Sequence, residues 1–280
     1  MKDTAVVVTG ASTGIGAATA ELLAREGFTV FAGVRNDEAA ARIGAAHDRI
    51  RPIRLDVTKA EMIEAAAREV AASRVPLHGL VNNAGIAMGG PLEFLPVDLL
   101  RRQFEVNVFG PVAVAQAFLP LLREQRGRIV FVGSVSGRLV VPFIGAYSAS
   151  KFALRAVADA MRRELATAHV KVSLVEPASV KTPIWQKGRA SRDELLRRLG
   201  PRAAELYARE FESMFWRIDA AERSGMPVER VSRAILHALA AREPKAHYLI
   251  GSRIASFVGT LPAPIQDRLF ITPMRKRPRT

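Results

Sequence analysis

The sequence contains no cysteine, which excludes disulfide bonds, thiolate nucleophiles and zinc sites with cysteine ligands, and we predict no metal site. It also lacks any run of about 18 or more uncharged apolar residues, so we expect no transmembrane segment. The apolar stretch from Ala5 to Val8 is too short for the core of a signal peptide. These absences favour a cytoplasmic protein. A chain of 280 residues that is 49% hydrophobic can bury a large core, and we expect a single domain over residues 1–280.

Acidic residues are outnumbered by basic ones, 27 against 41, which gives a formal charge of +14. Such an excess can attract nucleic-acid phosphates or acidic lipids. Most of the basic residues are interspersed with acidic ones, as on a solvated helix face, and only the tail after Asp267 has no acidic residue. We therefore expect no nucleic-acid partner, while weak peripheral contact between the tail and a membrane stays open.

Short apolar segments alternate with Ala-rich helical segments through the first two thirds of the chain, as in βαβ units on a parallel sheet. The apolar segments are nearly continuous, which indicates strands buried on both faces. The sequence thus predicts an α/β fold with a doubly wound parallel sheet of the Rossmann type. The predicted strands are 5–9, 29–34, 53–55, 79–82, 128–133, 171–176 and 247–251, and the predicted helices are 15–26, 60–73, 98–124 and 147–168.

Two regions depart from this alternation. Residues 179–227 predict a helical insertion at the carboxyl edge of the sheet, where ligands bind in this type of fold. Its large apolar residues either form a lid over a substrate or pack against the core or another subunit. They are Ile184, Trp185, Leu195, Leu199, Tyr207, Phe211, Met214, Phe215 and Trp216. Residues 252–280 form a C-terminal extension broken up by prolines.

A glycine-rich turn, Thr-Gly-Ala-Ser-Thr-Gly-Ile-Gly at residues 9–16, follows the first predicted strand and opens the first helix. Gly10 permits the tight turn, Gly14 lets a pyrophosphate approach the backbone, and Gly16 lets helix and strand pack closely. The helix N-terminus adds unpaired N–H groups and positive dipole charge. An ordinary strand-to-helix turn is the alternative. As a dinucleotide site, the turn would make its contacts through Gly10, Ser12, Thr13, Gly14, Ile15 and Gly16.

Tyr147 and Lys151 are four residues apart in a predicted helix, so both lie on one face. A neighbouring ammonium favours the phenolate and lowers the pKa of a tyrosine, which would let Tyr147 exchange a proton with a substrate hydroxyl. Taken alone, a tyrosine and a lysine at this spacing on a helix are usually exposed surface residues without a catalytic role. Ser134, directly after the predicted strand 128–133, is the candidate for holding the reacting oxygen, and Ser136 is its competitor.

These motifs together resemble the short-chain dehydrogenase/reductase family over roughly residues 4–182. The resemblance rests on the Gly-x-x-x-Gly-x-Gly spacing, on Asn82-Asn83-Ala84-Gly85, on Asn107 and on Tyr147-x-x-x-Lys151, in that order. Val-Ser-Leu-Val-Glu-Pro before Lys181-Thr182 and the C-terminal extension are most similar to the retinol and hydroxysteroid dehydrogenase branches. The resemblance implies an oxidoreductase whose catalytic residues are Asn107, Ser134, Tyr147 and Lys151, with Asn107 helping to hold a water near Lys151.

The resemblance also implies cofactor contacts outside the glycine-rich turn. Asp56 would contact the adenine, and Asn83 would form part of the floor under the ribose. The full set of these contacts is Asp56, Val57, Asn83, Ala84, Gly85, Tyr147, Lys151, Pro177, Val180 and Thr182. The family commonly has Pro-Gly-x-x-x-Thr at the last of these segments, and Ala178 replaces that glycine here. Because Ala tolerates positive φ poorly, we expect an altered backbone there.

The end of the second predicted strand bears on the choice of cofactor. Proteins that prefer NAD often have an acidic residue there that binds the ribose hydroxyls, whereas this chain has Val34 and Arg35. A guanidinium can make paired, charge-assisted hydrogen bonds to a 2′-phosphate. We therefore expect NADP(H), with NAD(H) as the alternative because Asp37 could serve a ribose.

The resulting hypothesis is hydride transfer between NADP(H) and a secondary alcohol or carbonyl group. The apolar insertion favours a bulky lipophilic substrate of the steroid, retinoid or fatty type. A non-catalytic nucleotide-binding regulator is the alternative, because fold and cofactor site alone do not establish turnover. The four acid–base and polar side chains favour the enzyme. The family resemblance further implies a homodimer or homotetramer assembled through helices 98–124 and 147–168.

Overall fold

The computed structural model describes residues 3–182, 184, 192–251 and 253–275. Its strands form one sheet in the order β3-β2-β1-β4-β5-β6-β7, and every neighbouring pair is parallel. The predicted doubly wound parallel sheet is confirmed. The strands are β1 Ala5–Val8, β2 Thr29–Val34, β3 Ile50–Arg54, β4 Leu77–Asn82, β5 Arg128–Val132, β6 Lys171–Pro177 and β7 His247–Ile250.

Helices cover both faces of the sheet because the strands are apolar on both sides. On one face, Phe118 and Leu154 belong to the same buried cluster as Phe131 of β5. On the other, Leu23 and Ile235 pack with Val30 of β2. The helices are α1 Gly14–Arg25, α2 Asp37–Gly44, α3 Ala60–Ala72, α4 Val97–Phe104, α5 Gly110–Glu124, α6 Gly145–Glu164, α7 Arg192–Leu199, α8 Pro201–Ser224, α9 Val228–Ala240, α10 Arg253–Val258 and α11 Ala263–Arg275.

The strand order reverses between β1 and β4. From β1 the chain proceeds outward to β2 and β3, and it then returns to the other side of β1 to start β4. A crevice opens at such a switch point, outside the carboxyl ends of the strands. The glycine-rich turn after β1, the segment after β4 and Ser134 after β5 all lie at these strand ends.

Two predicted elements differ from the structure. The predicted helix 98–124 is interrupted by a π-helical segment, Glu105–Phe109, with buried Asn107 at its centre. The third strand runs over Ile50–Arg54 and includes Pro52, opposite Ala32 of β2. Because β3 is an edge strand, the missing N–H of Pro52 leaves the sheet intact.

The region predicted as an insertion contains α7 and α8 in its described part. Leu199, Phe211 and Met214 are buried there with Leu95 and Leu99 in a third apolar cluster. The two ends of the region meet: Met226 N donates to Ser179 O at 2.9 Å, and Lys181 N donates to Met226 O at 3.0 Å. Trp185 of the predicted lid and residues 276–280 of the basic tail lie outside the described residues.

Among the described helices, the stretch Val97–Glu124 is the one that is long and apolar enough to span a membrane by length and composition. Val114, Phe118 and Leu122 within it are fully buried against the sheet. Packing in the protein core therefore accounts for its apolar face.

Candidate active site

The glycine-rich turn has the backbone geometry that an approaching phosphate requires. Gly10 and Gly14 have φ of 64° and 60°, which a residue with a side chain rarely adopts. A Cβ on Gly16 would lie 2.4 Å from Gly10 O, so only glycine fits the contact between helix and turn. Ser12, Thr13 and Ile15 lie between these glycines and are partly exposed.

The N-terminus of α1 is left without a side-chain cap. Thr13 occupies the capping position in an extended conformation and makes no capping hydrogen bond, and the first turn contains no acidic residue. The first N–H groups and the positive end of the helix dipole are therefore uncompensated by the protein. The turn fits the pyrophosphate of a dinucleotide.

The segment after β4 fixes this turn in place. Asn83 Nδ2 donates to Thr9 O at 3.0 Å and to Gly10 O at 3.2 Å. Thr9 Oγ1 in turn accepts from the N–H groups of Asn83 and Ala84, both at 3.0 Å. Asn83 thus binds the turn that would hold the cofactor. Thr9 was not among the predicted site residues, because its role depends on contacts with residues more than seventy positions away.

The region after β2 carries several positive charges. Arg35 is exposed, and Arg42 Nη2 donates to Ser12 O at 3.2 Å, above the glycine-rich turn. Asp37, the alternative partner for a ribose, instead forms an exposed salt bridge with Arg54 at 3.1 Å. Arg42 also pairs with Glu38 at 3.4 Å, so a phosphate placed at this edge would meet the charge of Arg35 in particular.

Asp56 follows β3 at the same end of the sheet. Partial burial raises the pKa of Asp56, but hydrogen bonds from Thr58 N and Oγ1, at 3.0 and 2.8 Å, and the charges of Arg35 and Lys59 together hold it below the ordinary value. The ionised carboxylate can accept a further hydrogen bond, such as one donated by the amino group of an adenine. The adjacent Val57 is buried against Gly110 at the start of α5.

The side chain of Ser134 lies close enough to the Tyr147 hydroxyl to lower the pKa of that tyrosine. Ser134 follows β5 in an extended conformation and caps the short 3₁₀ helix Val135–Gly137, and its Oγ accepts from Ser136 N at 3.1 Å. Ser136 contributes its backbone N–H to this arrangement. Of the two serine candidates, the structure brings Ser134 to the tyrosine.

Lys151 is buried, with its Nζ 5.8 Å from the centre of the Tyr147 ring and donating to Val132 O at 2.9 Å. Burial lowers the pKa of Lys151 to about 8. Burial raises the pKa of Tyr147, and the hydrogen bond with Ser134 lowers it only in part. Desolvation of the phenolate is the larger of these two effects, so the pKa of Tyr147 lies above its ordinary value, and the lowering expected from Lys151 stays a prediction.

Asn107 is fully buried in the π-helical segment, and its side chain faces α6, the helix that bears Tyr147 and Lys151. Its Oδ1 accepts from Ile86 N at 2.9 Å, and its Nδ2 donates to Ile86 O and to Ser150 Oγ, both at 3.0 Å. A Cβ on Gly85 would lie 3.4 Å from Asn107 Oδ1 and 3.8 Å from Lys151 Nζ. Asn107 and Lys151 thus flank Gly85. Ser150, which also donates to Tyr147 O at 2.7 Å, is a link that the sequence did not suggest.

The segment after β6 forms another wall of the crevice. Pro177 ends the strand, Ala178 N donates to Ile250 O at 2.8 Å, and Val180 is buried opposite Met226. Ala178 is not among the positive-φ residues of the described chain, so the expected strain from replacing glycine is absent. Thr182 is half-buried at the start of the insertion.

A cavity of about 530 Å³ lies beside this constellation. Its walls come from residues 90–93 after β4, residues 140–145 before and at the start of α6, Tyr207 and Glu210 of α8, and Ile271 of α11. Gly145, in the wall, is two residues before Tyr147 on the same helix. Gly145 thus connects the cavity wall to the helix that bears Tyr147 and Lys151, and the cavity is the candidate substrate pocket.

A parallel sheet with a glycine-rich turn that fits a pyrophosphate at its switch point, beside a neighbouring serine and tyrosine and a buried lysine, is the arrangement of a dinucleotide-dependent oxidoreductase. The chain belongs to the short-chain dehydrogenase family: the family model described as short chain dehydrogenase matches residues 4–193.

Several relatives of the chain are named reductases or dehydrogenases. The chain is 36% identical over 261 residues to the 3-amino-tetrahydro-pyrrolizinone reductase of Xenorhabdus hominickii, with 90% of this chain and 88% of the relative covered. It is 33% identical over 281 residues to the NADPH-dependent 3-dehydrocapnine reductase of Ornithobacterium rhinotracheale, with 96% and 97% covered. Retinol dehydrogenase 16 of Homo sapiens is 34% identical over 263 residues, with 90% and 81% covered.

Solved structures of the same family superpose along the whole chain. A short-chain dehydrogenase/reductase from Burkholderia phymatum in complex with NAD has a TM-score of 0.78 at 27% identity, with 100% of this chain and 97% of that chain covered. A short-chain dehydrogenase from Burkholderia cenocepacia in complex with NADP has a TM-score of 0.71 at 27% identity, with 99% of each chain covered.

Proposed function

We propose that the protein catalyses reversible hydride transfer between NADP(H) and a secondary alcohol or carbonyl group on a bulky lipophilic molecule. The placement of the Ser134 and Tyr147 side chains next to each other, beside the buried ammonium of Lys151, carries this proposal. A non-catalytic nucleotide-binding protein would not need that acid–base arrangement.

Each side chain has a defined task in carbonyl reduction. Ser134 Oγ donates a hydrogen bond to the carbonyl oxygen, and Tyr147 Oη delivers the proton that this oxygen takes up. The raised pKa of Tyr147 keeps the phenol protonated at neutral pH, ready to act as the acid. Lys151 restores the proton through its ammonium, and Asn107 holds the adjoining backbone at Ile86. When bound, NADP(H) supplies the hydride to the carbonyl carbon or accepts it from the alcohol.

The preference for NADP(H) is supported by the charges at the end of β2. Arg35 and Arg42 lie on the side of the turn where an adenosine ribose would sit, and Asp37 is engaged by Arg54. The name of one relative includes NADPH dependence, and one similar structure holds NADP. Another similar structure holds NAD, so NAD(H) is the competing cofactor.

The lipophilic character of the substrate is supported by the cavity wall. Leu92, Val140, Val141, Phe143 and Ile271 line it. An apolar wall with a few polar groups suits a molecule with a large hydrocarbon part. Steroid, retinoid and fatty ketones are therefore the first candidates. We further propose a cytoplasmic location and a homo-oligomeric state.

Oxidation of NADPH with a panel of lipophilic ketones tests the function. Ser134→Ala and Tyr147→Phe should each lower kcat by about two orders of magnitude or more, because an oxyanion donor or an acid–base group is lost. The matched control is Ser136→Ala, which removes a neighbouring hydroxyl and should keep most of the activity. Full activity of Tyr147→Phe, or equal losses in the two serine variants, would contradict the assignment.

A further inference from the structure

The substrate cavity has a charge opposite to that of the protein as a whole. Its charged lining residues are Glu93 and Glu210, and no lysine, arginine or histidine is among the described residues that line it. The chain as a whole has a formal charge of +14. A cavity that is otherwise apolar and carries only carboxylates favours a ligand with positive charge.

One of the two carboxylates accepts a hydrogen bond from a tyrosine of the cavity wall, and the other lies near that tyrosine. Tyr207 Oη donates to Glu93 Oε2 at 2.7 Å. This hydrogen bond raises the pKa of Tyr207, and the negative charges of Glu93 and Glu210 raise it further. Glu210 therefore lies within electrostatic reach of the same phenol, one helical turn after it on α8. The tyrosine holds Glu93 at the cavity and brings the two acidic groups to one side of it.

None of the ion pairs among the described residues includes Glu93 or Glu210. Arg198 of α7 pairs with Asp98, and Arg202 of α8 pairs with Glu205. Both partners lie outside the cavity wall. Glu93 and Glu210 are thus available to a ligand cation.

Aromatic rings complete the environment. Phe143 and Tyr207 both line the cavity, with ring centres 5.5 Å apart in an edge-to-face arrangement. Phe143 has a φ of 68°, a costly conformation for a bulky residue, and Gly90 N fixes it by donating to Phe143 O at 2.7 Å. Aromatic faces beside carboxylates are the usual environment for an alkylammonium group.

We propose that the substrate is a lipophilic amino ketone, or the corresponding amino alcohol, whose cationic nitrogen binds between Glu93, Glu210 and the ring of Tyr207. This inference rests on the proposed hydride transfer and names its substrate class. The carbonyl oxygen reaches Ser134 and Tyr147, and the hydrocarbon part lies along Val140, Val141 and Ile271. The hydride adds to the carbonyl carbon and the proton of Tyr147 to the oxygen, while the cationic nitrogen is unchanged.

Paired synthetic ketones test the proposal. One member of each pair carries a trimethylammonium group, and the other carries a tert-butyl group of the same shape without charge. The spacing between this group and the carbonyl is varied from pair to pair. The ratio of kcat/KM for the charged ketone to kcat/KM for the neutral one is measured with NADPH. This ratio isolates the contribution of charge from that of shape.

For the best spacing, the wild-type protein should prefer the charged ketone by about tenfold or more, the size expected for a partly solvated ion pair. Glu93→Gln and Glu210→Gln should each lower the ratio several-fold, and added salt should lower it in the wild type. Glu212→Gln is the matched control, because it removes an exposed carboxylate from the same helix outside the cavity. It should leave the ratio unchanged.

The outcomes separate this inference from the function on which it rests. Reduction of the neutral ketones without preference for the charged ones, or a ratio that neither Glu93→Gln nor Glu210→Gln alters, would overturn the cation site and leave the hydride transfer standing. Failure to reduce any member of the series, under conditions where NADPH binds, would overturn the proposed function and the cation site together.

Discussion

At the scale of single residues, the choice of cofactor depends on Arg35 and its surroundings. The glycines of the turn could be assigned from the sequence because each serves a local backbone requirement, at Gly10 a positive φ and at Gly16 a contact that excludes a Cβ. The part played by Asp37 could not be assigned, because its partner Arg54 lies on β3 and not on the same helix. The structure pairs Asp37 with Arg54 in an exposed salt bridge, and the role of Arg35 stays a prediction.

Arg35→Ala should weaken the binding of NADP(H) by about one to two orders of magnitude and scarcely change that of NAD(H), since charge-assisted hydrogen bonds contribute roughly 1.5–3 kcal/mol. Val34→Asp should reverse the preference by placing a carboxylate near the 2′ position. Dissociation constants for both cofactors check this, with Arg68→Ala, an exposed arginine of α3, as control. Equal losses for both cofactors in Arg35→Ala would contradict the role of Arg35.

At the scale of elements, the strands and the long helices follow from apolar periodicity, but their local irregularities do not. The π-helical segment at Glu105–Phe109 lets Asn107 reach Ile86 and Ser150, and a regular helix through 98–124 would rotate that side chain. The local sequence contains no signal for the extra residue that the π-helical turn accommodates. The carboxylates at the cavity were missed for the same reason, since the bond between Glu93 and Tyr207 joins segments over a hundred residues apart.

A buried ion pair ties the element that bears Ser134 to the sheet. Arg138 follows the 3₁₀ helix after Ser134, and its Nε and Nη2 donate to Glu176 Oε1 and Oε2 at 2.7 and 2.5 Å. Glu176 is fully buried at the end of β6, and His247 of β7 lies between it and Asp159 of α6, at 3.1 and 3.0 Å. The network thus joins the segment after Ser134 to β6, β7 and α6.

Glu176→Gln should lower the free energy of unfolding by about 3 kcal/mol, because it leaves the guanidinium of Arg138 without its buried counter-charge. It should also lower kcat, because the turn that holds Ser134 loses its anchor. Glu243→Gln breaks the exposed pair with Lys171 at the other end of β6 and should cost less than about 1 kcal/mol. Urea unfolding and steady-state kinetics of both variants provide the comparison. If the two variants had the same free energy of unfolding and the same kcat, the buried pair would not anchor the turn.

At the scale of the whole molecule, exposed aromatic residues lie on or beside the long helices through which we expect assembly. Phe109, just before α5, is 57% exposed, and Phe152 of α6 is 40% exposed. Large apolar residues on the outer surfaces of long helices are typical of subunit interfaces. This agrees with the expected assembly through these helices, which stays a prediction.

Light scattering should therefore find a dimer or tetramer, and Phe152→Glu should shift it toward monomers by placing a charge in an apolar contact. Phe257→Glu, which changes an exposed aromatic residue on α10 away from these helices, should keep the oligomer. A monomeric wild type would contradict the assembly. Dissociation by Phe257→Glu alone would show that the interface involves α10 and not the long helices.

The pairing at the base of the insertion has a consequence for how such a protein can diversify. Because Ser179, Lys181 and Met226 hold the two ends of the segment side by side through backbone hydrogen bonds, the sheet imposes only the distance between those ends on whatever lies between them. The chain from 182 to 225 can then be exchanged for one of different length, provided that the new segment also covers Leu95 and Leu99, against which α7 and α8 pack. Substrate range can change by replacement of this one segment, while the turn at Gly10 and the side chains of Ser134 and Tyr147 keep their positions.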